Sequence, residues 1–132
     1  MKSIEIAAGV LEYASKVLCV RRGYNELSYV AFKWEFPGGK IEVDESPVRA
    51  LVREIKEELS IEIIAGEKIM TVNHQYPDFY LTMHAYFCTS DTDVITLREH
   101  TSYEWCSRNS LKQFDWLEAD IPLVEKLCKS HR

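Results

Sequence analysis

The sequence predicts an α+β fold, with helices packed on a mixed β-sheet, and three patterns carry that expectation. Strand-like segments occupy both halves of the chain, a helix-like run with clear ends lies between them from Ser46 to Leu59, and a second helix-like run begins near Ala119. The 132 residues suit a single domain, 1–132, with a sizeable buried core. A hydrophobic share of 46% beside 28% charged residues is that of an ordinary globular chain and argues against disorder.

Taken in order, Ile4 to Leu11 and Lys16 to Val20 are rich in apolar and β-branched residues and read as two strands joined by a turn. GYNELSYVAFK, after Arg21 and Arg22, reads as a loop, and Trp34 to Phe36 as a short strand entering the Pro37-Gly38-Gly39 turn. Ser46 is an N-cap and Pro47 suits the first helical position, where its missing N–H costs nothing. Val48, Leu51, Val52, Ile55 and Leu59 recur at helical spacing and define an apolar stripe. Ile61 to Ile64, Lys68 to His74 and Tyr80 to Cys88 read as strands, the last two forming a hairpin through Tyr76-Pro77-Asp78. Leu81, Met83, Ala85 and Phe87 alternate with Thr82, His84 and Tyr86, as a half-buried strand requires. Ser102 to Cys106 is one more short strand, and the closing helix turns Leu123, Val124 and Leu127 inward.

A net charge of -5 argues against a nucleic acid polymer as partner, since such binders carry basic surfaces. A small anionic substrate stays compatible if a metal ion inverts the local field. Cys19, Cys88, Cys106 and Cys128 form no C-x-x-C pair and read as small buried hydrophobes. The first twenty residues are interrupted by Glu5, Glu12 and Lys16, which does not suit a signal peptide or membrane span, so a cytoplasmic setting without membrane attachment is expected.

The chemistry-bearing feature is the helix itself. Glu54, Glu57 and Glu58 stand at i, i+3 and i+4 and share one face. Like charges at this spacing cost only a few tenths of a kcal/mol per pair, so a solvated acidic face beside Arg53 and Lys56 is one reading. A hard cation is the other. Mg²⁺ takes oxygen ligands and shares its shell among carboxylates, waters and substrate phosphates. Glu45 just before the helix, bare carbonyls at Gly38-Gly39, and Arg53, whose fork can fix a carboxylate, are parts of such an oxygen cage.

Gly39, Glu45 and the run Arg53-Glu54-Ile55-Lys56-Glu57-Glu58-Leu59-Ser60-Ile61 together resemble the Nudix box, G-x5-E-x7-R-E-U-x-E-E-x-G-U with U a bulky aliphatic. One position departs: Ser60 stands where the family has glycine. Glycine suits a turn with φ > 0, so serine there costs about 1 kcal/mol or shifts the turn. The resemblance implies the Nudix fold, an α/β/α sandwich around a mixed β-sheet, and hydrolysis of a nucleoside diphosphate linked to another group. It implies Mg²⁺ (with Mn²⁺ as a substitute) held by Glu54 and Glu58, by Glu57 directly or through water, and by the Gly39 carbonyl. Glu45 and Gly38 would support the site, and Arg53 would orient the glutamates.

The resemblance extends over most of the chain. WEFPGGKIE, the Tyr76-Pro77-Asp78 turn, Glu99 six residues before Trp105, and ADIPLVEKL look like the MutT-type branch, and most like its CTP pyrophosphohydrolase members. It implies a nucleoside triphosphate substrate, attack at the β-phosphorus, and Glu99 as base or further metal ligand. Candidates for substrate contact by the same alignment are Arg22, Trp34, Phe36, Phe79, His84 and Asp120. Asp120 stands where the branch's 8-oxoguanine enzymes carry asparagine, and Phe79 where they carry arginine, which favours a cytidine nucleotide over 8-oxo-dGTP. An ionised aspartate accepts from cytosine's amino group, though guanine's N–H groups suit it too, and Asp120 can also cap the last helix. A nucleotide-sensing module without hydrolysis is the reading of a different class, and the full set of box residues speaks against it. A monomer or homodimer is expected.

Overall fold

The structure, a computed structural model, describes residues 2–129. Its elements are β1 (Lys2–Tyr13), β2 (Lys16–Arg21), β3 (Trp34–Glu35), β4 (Gly38–Lys40), α1 (Pro47–Leu59), β5 (Ile64–Gln75), β6 (Phe79–Thr89), β7 (Ser102–Cys106) and α2 (Ile121–Lys129), with 3₁₀ turns at Arg108–Gln113 and Glu118–Asp120. The sheet runs β3-β2-β1-β6-β5, with β4 added against β1 and β7 against β2. It is mixed: β1 pairs β6 in parallel from Lys2↔Phe79 to Glu12↔Thr89, while its pairings with β2 and β4 are antiparallel.

The period of two along β1 and β2 sorts side chains to the two faces. Ala7, Leu11, Leu18 and Val20 meet Ala50, Leu51, Ile55 and Leu59 of α1, whereas Ala8, Val10, Val17 and Cys19 lie in the core shared with Leu123, Val124 and Leu127 of α2. One helix therefore covers each face, giving the expected α/β/α sandwich. Gly9 lets α1 settle close: a Cβ there would lie 3.2 Å from the Ile55 Cδ1 and 3.1 Å from the Cys88 Sγ.

Several boundaries differ from the sequence reading. Residues 61–63 form no strand; Ile61 and Ile63 bury their side chains in the core beneath α1, and the ladder begins at Ile64. From there β5 is one strand, irregular between Ala65 and Met70, rather than two. Val48 is exposed and Ala50 is buried, although at 100° per residue Val48 lies within about 20° of Ile55 and Leu59; it stands in the first turn of the helix. Gly38 and Gly39, read as part of the Pro37-Gly38-Gly39 turn, belong instead to β4, which pairs with Ile6 to Ala8. The strand at Trp34 ends at Glu35, so Phe36 lies beyond it. Cys19, Cys88 and Cys106 are buried free thiols, and Cys128 is half-buried. Among the described residues no helix is long and apolar enough to cross a membrane.

Candidate active site

Helix α1 is set by local chemistry before it meets the sheet. The Ser46 Oγ accepts from the Arg49 N–H at 3.2 Å, and Pro47 occupies the first turn. At 100° per residue, Glu58 stands about 40° from Glu54, while Glu57 is rotated about 60° the other way. The wheel therefore turns two glutamates inward and one outward. The Glu54 and Glu58 side chains are 17% and 12% exposed, against 60% for Glu57.

Arg53 organises the outer side of this cluster. Its Nε and one terminal nitrogen donate to both carboxylate oxygens of Glu45, at 2.8 and 2.9 Å. The other terminal nitrogen donates to Glu54 at 3.1 Å and to Glu57 at 3.5 Å, and a further bond of 3.0 Å reaches the Lys40 carbonyl. Arg53 holds the Glu45 carboxyl down to about 2, helped by the Glu42 backbone N–H. Glu45 is thereby a fixed anion that locks the arginine, and the arginine locks Glu54.

The close approach of α1 to β4 depends on two glycines. A Cβ on Gly39 would lie 2.4 Å from the Glu54 carboxylate carbon, so only a bare backbone leaves room for that side chain. Gly38 has φ +153, and a Cβ there would sit 2.0 Å from the Ala7 carbonyl oxygen.

These groups open on a cavity of about 670 Å³, a size suited to a small-molecule ligand. Its polar lining holds Arg22, Glu35, Gly38, Gly39, Glu54, Glu58, Glu99 and His100. Its apolar lining includes Ile4, Ile6, Phe36, Phe79, Leu81 and Met83, with Asp120 among them. Arg22 is held by Glu35 at 3.1 Å. The Asp120 carboxylate accepts from the Phe36 N–H at 2.9 Å, and burial pushes its carboxyl up to about 8, with Glu35 adding to the shift.

Of the expected site residues, Arg22, Phe36, Gly38, Gly39, Glu54, Glu58, Phe79, Glu99 and Asp120 line one cavity. Glu45, Arg53 and Glu57 sit behind it. Two others lie elsewhere. Trp34 packs on Phe114 at 4.3 Å, and His84 is engaged by Glu5 at 2.8 Å and Lys68 at 3.1 Å. Phe36 already stacks on Trp116 at 4.6 Å, so one face of its ring is covered. Sequence reasoning passed over Glu35 and His100, which meet at 2.9 Å; the His100 side chain is only 5% exposed, and its Nδ1 points toward Glu58 at 3.9 Å. Their positions beside Phe36 and Glu99 were the available signal, but no spacing rule joins them.

The chemistry of this donor set fits a hard divalent cation. Burial foremost, then the hydrogen bond that protonated Glu58 donates to Glu54 and the charges of Glu35, Glu54 and Glu99, push the Glu58 carboxyl up to about 9. Crowded, desolvated carboxylates of this kind are relieved by a cation. Among the described residues no three acidic, His or Cys side chains close on an ion unaided. The set therefore suits an ion that also brings waters and phosphate oxygens, rather than an all-protein cage.

The NUDIX domain model matches residues 4–127. The chain belongs to the Nudix family. The CTP pyrophosphohydrolase of Escherichia coli K12 is 38% identical over 125 residues, covering 95% of this chain and 91% of that protein. An 8-oxo-dGTP diphosphatase of the same organism is 30% identical over 127 residues, covering 96% and 98%. The solution structure of the MutT protein, a Nudix hydrolase, from methicillin-resistant Staphylococcus aureus 252 is 39% identical, with a TM-score of 0.76 over 97% of this chain and 98% of that one.

The chain is a Nudix hydrolase, and its one departure from the Nudix box has a structural account. Ser60 follows α1 at φ 54 and ψ 38, the left-handed conformation that the family's glycine adopts cheaply. Its N–H still reaches the Lys56 carbonyl at 3.0 Å, so the turn is kept.

Proposed function

We propose that the chain hydrolyses nucleoside triphosphates to a nucleoside monophosphate and pyrophosphate in a Mg²⁺-dependent reaction, with Mn²⁺ able to substitute, and prefers CTP, dCTP or a modified dCTP. One observation carries this reading: a single cavity joins Glu54, Glu58 and Glu99 to an apolar wall holding Asp120. Chemistry for a polyphosphate thus lies in the same cleft as chemistry for a base. The 38% identity to a CTP pyrophosphohydrolase supports the cytidine preference.

Glu54 and Glu58, with the Gly39 carbonyl and with Glu57 through a water, would hold the metal. When bound, it neutralises polyphosphate charge and acidifies a coordinated water. The chain's own groups do the remaining work. Arg53, pinned by Glu45, fixes the rotamer of Glu54. Arg22, braced by Glu35, presents a guanidinium to the phosphates or sugar. Glu99 takes a proton from the attacking water. The water oxygen bonds to the β-phosphorus, the bond from that phosphorus to the α–β bridging oxygen breaks, and the bridging oxygen leaves with the monophosphate. Asp120 keeps one oxygen on the Phe36 N–H and offers the other to the base.

Hydrolysis of 8-oxo-dGTP is the second reading, favoured by the 30% identity to an 8-oxo-dGTP diphosphatase and by the fit of a carboxylate to guanine's N–H groups. We place the reaction in the cytoplasm, acting on free nucleotides rather than polymers, by a monomer or homodimer. The test is pyrophosphate release across a panel of nucleoside triphosphates with Mg²⁺. Turnover highest on CTP or dCTP is expected, preference for 8-oxo-dGTP would install the second reading, and no turnover of any nucleotide would overturn both.

A further inference from the structure

We propose that Ser60 is a positioning residue for catalysis, its hydroxyl acting through Arg98 to tie the loop that presents Glu99 to the end of α1. The inference rests on the reading that Glu99 acts at the reacting phosphate. The Ser60 Oγ accepts from the Arg98 Nε at 2.8 Å. In the same stretch the Arg98 N–H bonds the Glu58 carbonyl and the Thr96 N–H the Leu59 carbonyl, each at 3.1 Å. On the far side of Glu99, His100 is fastened to Glu35 at 2.9 Å, and the Thr101 N–H to the Arg21 carbonyl at 2.9 Å. Glu99 itself is exposed and faces the cavity. It therefore sits between two tethers, one ending on α1 and the other on the β2–β3 side of the cleft.

The Ser60 tether is the one this chain supplies at a box position where the family has glycine. Glycine is the better residue for φ 54, yet it has no oxygen for Arg98. The strained residue stands where its side chain is used. This opposition of backbone strain and side-chain bonding gives stability and activity opposite signs, which a merely structural serine would not do.

In Ser60→Gly the melting temperature is expected to hold or rise by a few degrees, because the strain is relieved. Over the same change kcat should fall about 3- to 10-fold, the range for one lost hydrogen bond, with KM within about twofold. Arg98→Ala should lower kcat by a similar factor, and the double variant should lose little more than either single one. In a Glu99→Gln background, Ser60→Gly should have no further effect on kcat. Unchanged kcat in Ser60→Gly, or fully additive losses in the double variant, overturns the tether. If Glu99→Gln itself turns over at the wild-type rate, the role of Glu99 fails instead, and the two failures are distinguished by that one control.

Discussion

Glu58→Gln tests the buried carboxylate cluster most directly. In the metal-free chain, burial and then Glu54, Glu35 and Glu99 raise the Glu58 carboxyl from 4.5 to about 9, so it keeps its proton at neutral pH. A carboxylate must lose that proton to ligate a metal. At pH 7 the deficit is about two pH units, which is about 3 kcal/mol or a hundredfold in apparent Mg²⁺ affinity. Affinity should therefore rise by up to tenfold per pH unit between about pH 5 and 9, then level off. Stability without metal runs the other way. The folded chain binds more protons than the unfolded one in this window, so the contribution of Glu58 is fully present below about pH 4.5 and is lost as pH rises through 9. Glutamine keeps the shape and cannot ionise. The variant's metal-free melting temperature should decline less steeply from pH 6 to 9, while kcat falls at least about a hundredfold. Calorimetric Mg²⁺ titrations in buffers of different ionisation enthalpy would count the released proton, and thermal melts in EDTA would trace the stability. Wild-type Mg²⁺ affinity that is flat over pH 6–9, or parallel melting curves for the two proteins, would refute the reasoning.

Glu54→Gln should abolish turnover with fold and melting temperature retained; an unchanged kcat in saturating Mg²⁺ would remove Glu54 from the metal site. Asp120→Asn should change the ratio of kcat/KM between cytidine and 8-oxoguanine triphosphates, whereas equal effects on both would leave Asp120 only as the anchor of the Phe36 N–H. Because the Asp120 carboxyl is raised from 3.8 to about 8, its contribution to stability is present below about pH 4 and lost as pH rises through 8, so the asparagine variant should melt higher than wild type at pH 9. Arg53→Lys loses the paired bonds to Glu45 and should lower kcat about 10- to 100-fold while raising the Mg²⁺ requirement. Since the Glu45 carboxyl is lowered from 4.5 to about 2, its contribution is present above about pH 4.5 and lost as pH falls through 2, and the lysine variant should unfold at a higher pH on acidification.

Much of the fold was legible because it rests on local rules. Ser46 and Pro47 mark the start of α1, and the alternation in Leu81 to Phe87 marks β6, without reference to distant residues. Where local pattern and tertiary placement diverge, the reading slipped. The apolar run at Ile61 looks like a strand, but those side chains are needed beneath α1 and no neighbouring strand completes a ladder there. The site divides in the same way. Glu45, Arg53, Glu54 and Glu58 are legible because helix geometry and box spacing fix them. Glu35 and His100 were not, since they are brought together across 65 residues by the sheet and a loop. Trp34 and His84 have chemistry suited to a nucleotide, yet Phe114 and Glu5 engage them away from the cleft.

The divergence between Glu57 and its neighbours explains why three adjacent glutamates do not behave alike. All three lie on one broad face of α1, but the helical angle puts Glu57 with Arg53 on the solvent side and turns Glu54 and Glu58 to the cleft. Arg53 binds Glu45, Glu54 and Glu57 from behind, so its positive charge rigidifies the cluster without entering the cavity lining. Glu58 is left with carboxylate neighbours and little water, the arrangement that raises its proton affinity. The same desolvation that makes Glu58 reluctant to ionise is what makes its anion a strong oxygen donor once a cation arrives. The low exposure of the Glu54 and Glu58 side chains and the glycine clearance at Gly39 are not what an acidic helix face held in solvent would show.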